Sequence, residues 1–260
     1  MERIEDLIPE ISKLDAAPSY ADMAKLRTES YNKMKGNLQG YDCPECLNRG
    51  YIAKFTNGEE FLSECRCMKT RLTLRRIKES GLENQLRSCT FKNFETDYEW
   101  QKQMKKSAME FIQSDATGFF IGGQSGCGKT HLCTAIVAAM IKKGRSARYF
   151  VWREDSVILK SLVNTSEYTE RFKEFKNADI LYIDDLFKGD GTTAADIKLA
   201  FELIDFRVRQ RLKTIISTEL DETALIACDE AIAGRIFQMS RQFRLVIPKD
   251  MRKNYRLRKE

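Results

Sequence analysis

Histidine is almost absent from this sequence: of 260 residues only His131 carries an imidazole. Equally missing is any apolar run near the ~20 residues that cross a bilayer. The opening Met1-Glu2-Arg3-Ile4-Glu5-Asp6 is acidic and amphipathic, unlike a secretory leader. Membrane insertion and export are therefore not expected, and the cytoplasm is the expected compartment. Internal repeats and low-complexity segments are also lacking, so the chain reads as soluble and globular. Its eight cysteines would suit a disulfide framework in a small secreted protein; in a longer chain without a leader, clustered pairs point to metal. An apolar content of 42% is enough for one large domain and a small one. The net charge of +6 permits an anionic partner without demanding one.

Ile4, Leu7, Ile8, Ile11 and Leu14 fall at helical spacing around Pro9, which predicts two short pieces rather than one helix. After Pro18, Ser19 and Asp22 stand in capping-box spacing ahead of Met23, Leu26, Tyr31 and Met34, a face open to internal packing or to a partner's groove. Residues 1–40 are thus read as a helical segment. Residues 41–68 carry Cys43-Pro44-Glu45-Cys46 and Cys65-Arg66-Cys67, with 18 residues between the pairs and Gly58 at the expected tip of a hairpin. This spacing reads as a zinc ribbon, with free or redox-active cysteines as the other reading. With the only histidine elsewhere, Cys43, Cys46, Cys65 and Cys67 must supply every protein ligand, which makes a closed, structural site.

Arg66, Lys69, Arg71, Arg75, Arg76 and Lys78 follow with no acidic residue among them, which predicts a basic linker helix over residues 69–86 that ends near Gly81. Its charge suits either a solvated face or an anionic partner such as nucleic-acid phosphate. Cys89, Cys127, Cys133 and Cys228 are scattered and read as small buried apolar residues.

From residue 87 to residue 260 the pattern is that of an α/β domain with a central parallel sheet. Thr90-Phe91-Lys92-Asn93-Phe94 reads as an extended lead-in, and Trp100 to Ser114 as a helix. The apolar run Gly118-Phe119-Phe120-Ile121 then delivers the stretch Gly123, Gln124, Ser125, Gly126, Cys127, Gly128, Lys129, Thr130, with a helical pattern from His131 onward. This is G-x-x-x-x-G-K-[ST] in its strand–loop–helix context, a cradle for nucleotide phosphates. Glycines let backbone N–H groups wrap the phosphate, Lys129 reaches the outer phosphates, and the Thr130 hydroxyl holds magnesium. Arg148 to Trp152 reads as a strand, Glu154 to Lys176 as polar and helical, and Asp179 to Asp185 as a buried strand ending in two carboxylates. Asp184 is placed to hold magnesium, and Asp185 to orient or activate the attacking water. After a helix from Thr193 to Arg211, the strand Thr214 to Thr218 brings Ser217, Thr218 and Glu219 to the position of a γ-phosphate sensor. Arg235 sits on a further helix, and Phe243 to Ile247 is the last strand before a basic tail.

Gly123 to Thr130 with the trailing His131-Leu132, Ile183-Asp184-Asp185, Thr90 to Phe94 and Ala233-Gly234-Arg235-Ile236 together resemble the DnaC/DnaI helicase-loader family. That family is a branch of the AAA+ P-loop ATPases, and the likeness is greatest to phage- and Gram-positive-type members with an N-terminal zinc-binding module. The resemblance implies ATP, magnesium and zinc as cofactors, and as partners a DnaB-type hexameric helicase, single-stranded DNA and further copies of the chain. It implies that Asp185 replaces the usual glutamate base, that Arg235 acts as an arginine finger on a neighbouring subunit, and that Phe91 and Phe94 lie near adenine. Asn254-Tyr255-Arg256 resembles the short ending of this branch, which lacks a full helical lid; Arg256 is a candidate second sensor. The family's sensor strand commonly ends in asparagine, whereas Glu219 stands there now, so either Thr218 takes the role or hydrolysis is tuned differently. Other readings are a transposition-helper AAA+ ATPase of the IstB-like kind, a P-loop small-molecule kinase, and a zinc-bearing adaptor with a vestigial ATP site. The cysteine module argues against the first, Arg235 and the sensor-like strand against the second, and intact Lys129, Thr130 and Asp184 against the third.

Overall fold

The computed structural model describes residues 19–79, 83–189 and 191–257. The helical pieces expected around Pro9, the helix stop expected at Gly81 and the basic residues Arg258 and Lys259 lie outside the described residues. The chain divides into two compact units, Met1–Arg71 and Leu72–Glu260.

In the first unit, α1 (Tyr20–Lys33) begins as its capping residues require: the Ser19 hydroxyl oxygen accepts the Asp22 N–H. Strands β1 (Tyr51–Thr56) and β2 (Glu59–Glu64) form an antiparallel hairpin. Asn57 and Gly58 turn it, with φ of 55° and 86°. Two successive left-handed residues match the twist of a two-residue hairpin turn, which is why an Asn-Gly pair sits there. Asn32 lies against the edge of β1, where its amide donates to the Ala53 carbonyl (3.0 Å) and accepts the Ala53 N–H (2.9 Å). One side chain thereby does the pairing work of a third strand.

The basic stretch forms two helices, α2 (Cys67–Glu79) and α3 (Glu83–Ser88). In the second unit the elements are α4 (Glu99–Gln113), β3 (Gly118–Gly123), α5 (Lys129–Lys142), β4 (Ala147–Val151), α6 (Trp152–Ser161), α7 (Ser166–Lys176) and β5 (Ile180–Asp184). They continue through α8 (Ala194–Arg209), β6 (Lys213–Ser217), α9 (Glu222–Cys228), α10 (Glu230–Met239) and β7 (Arg244–Ile247), then two short 3-10 turns, Met251–Lys253 and Tyr255–Leu257. The five-stranded sheet runs β4-β5-β6-β3-β7, all parallel. Side chains alternate across it: Phe119 and Ile121 face a core shared with α4 and α5, whereas Phe120 faces one shared with α8 and α10. Burial on both faces explains why the strands read as nearly unbroken apolar runs. Because every strand points the same way, the loop after β3 and the ends of β5 and β6 meet at one edge of the sheet. The pairing of Val151 with Asp184 and of Ile121 with Ser217 sets their level.

Some local expectations are corrected. Thr90 to Phe94 is a turn closed by the Asn93 N–H on the Thr90 carbonyl, not an extended segment. Trp152 begins a helix instead of ending a strand. Cys127 and Cys133 are fully buried as expected, but Cys89 and Cys228 are only partly so.

Arg207 on α8 is fully buried. Its guanidinium donates to the Thr214 hydroxyl and to the carbonyls of Phe175, Lys176, Ala178 and Lys213, so the end of α7 and the starts of β5 and β6 hang on one planar group. Arg207→Met leaves those acceptors without a donor. It is expected to lower the unfolding free energy by about 3 kcal/mol or more, read as a lower urea midpoint; an unchanged midpoint would show that water replaces the guanidinium.

Candidate nucleotide site and metal centre

The loop between β3 and α5 holds Gly123, Gly126 and Gly128 at φ of 99°, 69° and 94°. A Cβ on Gly123 would come within 2.1 Å of the Ile247 carbonyl oxygen, and one on Gly126 within 2.0 Å of Asn254 Oδ1. Glycine is thus required there by both conformation and space. Lys129 is buried and folds back over the loop, donating from Nζ to the carbonyls of Gly123 (2.9 Å) and Gln124 (2.7 Å). The loop and the start of α5 leave backbone N–H groups and the positive end of the helix dipole for an anion.

A cavity of about 350 Å³ opens on this loop, lined by Asn93, Phe94, Glu95, Ser125, Gly126, Gly128, Lys129, Thr130, His131, Asp185, Lys188, Glu219, Tyr255 and Arg256. Its mix of cations, hydroxyls and aromatic rings fits a nucleoside polyphosphate. Phe94 and His131 meet edge to face at 5.4 Å, and His131 Nε2 is hydrogen-bonded to the Thr90 carbonyl. Phe91, Gly123, Gln124 and Cys127 do not line the cavity. Phe91 packs on the apolar core, Cys127 is buried beneath the loop, and the Gln124 amide oxygen accepts the Asp250 N–H.

Asp184, at the end of β5, is 8% exposed and is approached by four hydroxyls. Oδ1 accepts from Ser217 (2.5 Å), Tyr182 (2.6 Å) and Thr130 (3.2 Å), and Oδ2 accepts from Tyr149 (3.2 Å). Burial, and then the neighbouring Asp184 charge among its other causes, pushes both tyrosines above their ordinary range, so they stay protonated donors. Thr130 and Asp184, brought into contact, are the pair that would hold magnesium. The backbone at Asp185 turns left-handed (φ 55°) and its N–H donates to Ser217 Oγ.

The carboxylate of Asp185 faces Lys188, a residue that sequence reasoning missed. Lys188 Nζ lies 2.8 Å from Asp185 Oδ2 and 3.0 Å from Glu219 Oε1, while the Ser125 hydroxyl donates to Glu219 Oε1 at 2.8 Å. Of the three sensor candidates, Glu219 lines the cavity and Ser217 binds Asp184. Thr218 is fully buried with its hydroxyl donated to the Leu186 carbonyl (2.8 Å), so it is turned away from the role drawn for it. Arg235 does not line the cavity of its own chain. Its Nε donates to Asp205 Oδ1 at 2.8 Å and its guanidinium lies 4.4 Å from the Phe201 ring. Arg256, the candidate second sensor, does line the cavity.

Burial alone would raise the Glu219 carboxyl, but Ser125 and Lys188 together hold it below the usual range. A lowered carboxyl contributes stability that is present above its unfolded value and lost as pH falls through the folded one. Glu219→Gln is therefore expected to lower thermal stability at neutral pH and to flatten its further loss below about pH 4.5, where the two proteins converge; an unchanged acid limb would rule out the pairing.

In the first unit, Cys43, Cys46, Cys65 and Cys67 are all buried and their sulfurs lie within 4.8 Å of one another. The Cys43–Cys65 and Cys46–Cys67 separations are 3.7 Å and 3.5 Å. Zinc–sulfur bonds of about 2.3 Å in a tetrahedron give edges of about 3.8 Å, close to these two separations, so the donor set fits zinc. The Gly50 N–H, aimed at Cys46 Sγ (3.3 Å), adds the support a thiolate needs. Metal analysis of purified protein is expected to give about one zinc per chain, lost in Cys46→Ser; full-length folded protein free of metal would refute the site.

A family model described as IstB-like ATP binding protein matches residues 54–238. The phage-like element PBSX protein XkdC of Bacillus subtilis is 28% identical over 231 residues, covering 80% of this chain and 82% of that protein. The replicative helicase loader DnaC of Escherichia coli is 26% identical over 128 residues, 47% of this chain and 51% of that protein. Among solved structures, that of DnaI superposes with a TM-score of 0.54 at 20% identity, covering 64% of this chain and 92% of that one. Matched over well more than half its length, the chain belongs to the family of IstB-like ATP-binding proteins.

Proposed function

We propose that this protein is an ATP-dependent loader of a DnaB-type hexameric replicative helicase onto single-stranded DNA, working in the cytoplasm, with ATP as the assembly switch. The observation that carries the reading is the joining, in one chain, of a buried four-cysteine module to a cradle where Lys129, Thr130, Asp184 and Asp185 converge. The likeness to the Escherichia coli loader supports it. In this reading residues 1–40 and the zinc-bearing module of residues 41–68 dock on the helicase. Residues 69–86 link them to the ATPase domain of residues 87–260, which grips DNA and assembles with its copies.

Within the site, Lys129 and the loop amides hold phosphate, and Thr130 and Asp184 hold magnesium, which when bound neutralises charge on the outer phosphates. Asp185 is the base that orients water, but it starts in an ion pair with Lys188. Lys188 occupies the carboxylate oxygen that a water would use, so it must shift before Asp185 works. Arg235, held on Asp205, serves a neighbouring subunit, so completion of the site requires assembly. Both features make intrinsic turnover slow. The family match also gives weight to a transposition helper, whose partner is a transposase in place of a helicase.

The purified chain is expected to hydrolyse ATP far below the ~10 s⁻¹ of a typical enzyme, with the rate rising on addition of helicase and single-stranded DNA. Fast turnover alone would overturn the switch. Native mass spectrometry with a DnaB-type helicase and a non-hydrolysable ATP analogue is expected to show a complex that Cys46→Ser abolishes. Capture of a transposase in its place would favour the second reading.

A further inference from the structure

The chain beyond β7 doubles back over the phosphate loop. The Asp250 N–H donates to Gln124 Oε1 (2.8 Å), and the Tyr255 N–H donates to the Gly126 carbonyl (3.0 Å). Asn254 Oδ1 fills the notch that a side chain on Gly126 would occupy. At its far end Tyr255 is pinned again, its hydroxyl accepting from the amide of Gln101, a fully buried residue of α4 that also caps the Tyr98 N–H. Backbone on the loop and hydroxyl on α4 fix the Tyr255 ring at both ends, and Tyr255 is a lining residue of the cavity together with Phe94 and His131.

We propose that Tyr255 is a nucleoside-binding residue, its ring stacking on the base, and that the segment 250–257 forms the base-side wall of the site. The proposal rests on reading this cavity as the ATP site. An aromatic ring already held at both ends gains stacking energy without the ordering loss a mobile side chain would suffer. A tyrosine face meets any purine, so Tyr255 contributes affinity for the base and none for the phosphates.

The rival role is a buttress: the segment props Gly126 and touches no ligand. The two separate cleanly, because Tyr255→Ala removes the ring yet keeps the N–H that binds Gly126. Calorimetric titration of the full chain with ATP and, separately, with inorganic triphosphate reads the difference. Tyr255→Ala is expected to weaken ATP about tenfold and to leave triphosphate unchanged. Tyr255→Leu, which fills space without a π face, should do the same, and Tyr255→Phe, which keeps the π face and loses only the Gln101 bond, should bind ATP more tightly than Tyr255→Leu. ATP affinity unchanged in Tyr255→Ala, or ATP and triphosphate weakened alike, would overturn the proposal. Lys129→Ala should weaken both ligands. Failure of the unmodified chain to bind ATP at all would instead remove the reading of the cavity, and the proposal with it.

Discussion

One buried carboxylate organises the site. Asp184 receives hydroxyls from β4, β5, β6 and α5, through Tyr149, Tyr182, Ser217 and Thr130. A buried carboxylate must be satisfied, and here neutral O–H groups do it; among the described residues no cation bonds to it. The carboxylate is therefore fixed in place by neutral donors from four elements. The same bonds tie three adjacent strands and the phosphate-loop helix to one point. A shift in the register of any of them would strip a donor from Asp184.

The front of the site is built differently. Asp185, Lys188, Glu219 and Ser125 form a chain of ion pairs and hydrogen bonds on the cavity wall, the three charged side chains being 25% to 36% exposed. Partly hydrated pairs of this kind are weak and exchange partners readily. A phosphate entering among them competes for Lys188 and Ser125, and so bears on the orientation of Asp185 and Glu219. The rear of the site is held by a buried network and the front by partly exposed pairs that can exchange.

What the sequence disclosed follows from how local each feature is. The cradle is eight consecutive residues whose glycines and lysine are dictated by backbone geometry, so spacing alone reveals it. The cysteines declare themselves by short gaps, and Asp184 by its place at the end of an apolar run. Thr218 was misplaced because successive residues of a strand face opposite ways: the β6 register turns Ser217 toward Asp184 and sends Thr218 to the Leu186 carbonyl. The contacts of Tyr149 with Asp184 and of Lys188 with Glu219 gave no sequence signal, since each joins residues tens of positions apart. Arg207 was hidden for a related reason. A guanidinium near a helix end reads as a solvated charge, and only the packed fold shows five acceptors converging on it.

The hairpin of the cysteine module has two edges with different fates. Asn32 closes the edge of β1 at Ala53. The outer edge of β2 carries Glu59, Glu60 and Glu64 on an exposed strand with Phe61 and Leu62 between them. Bare strand edges with apolar side chains are where chains zip into aggregates. Two copies meeting here would bring carboxylate against carboxylate, a repulsion that works against cross-chain pairing. Glu60 is already answered by Arg27 of α1, so the like charge that disfavours strand-to-strand pairing at this edge falls to Glu59 and Glu64.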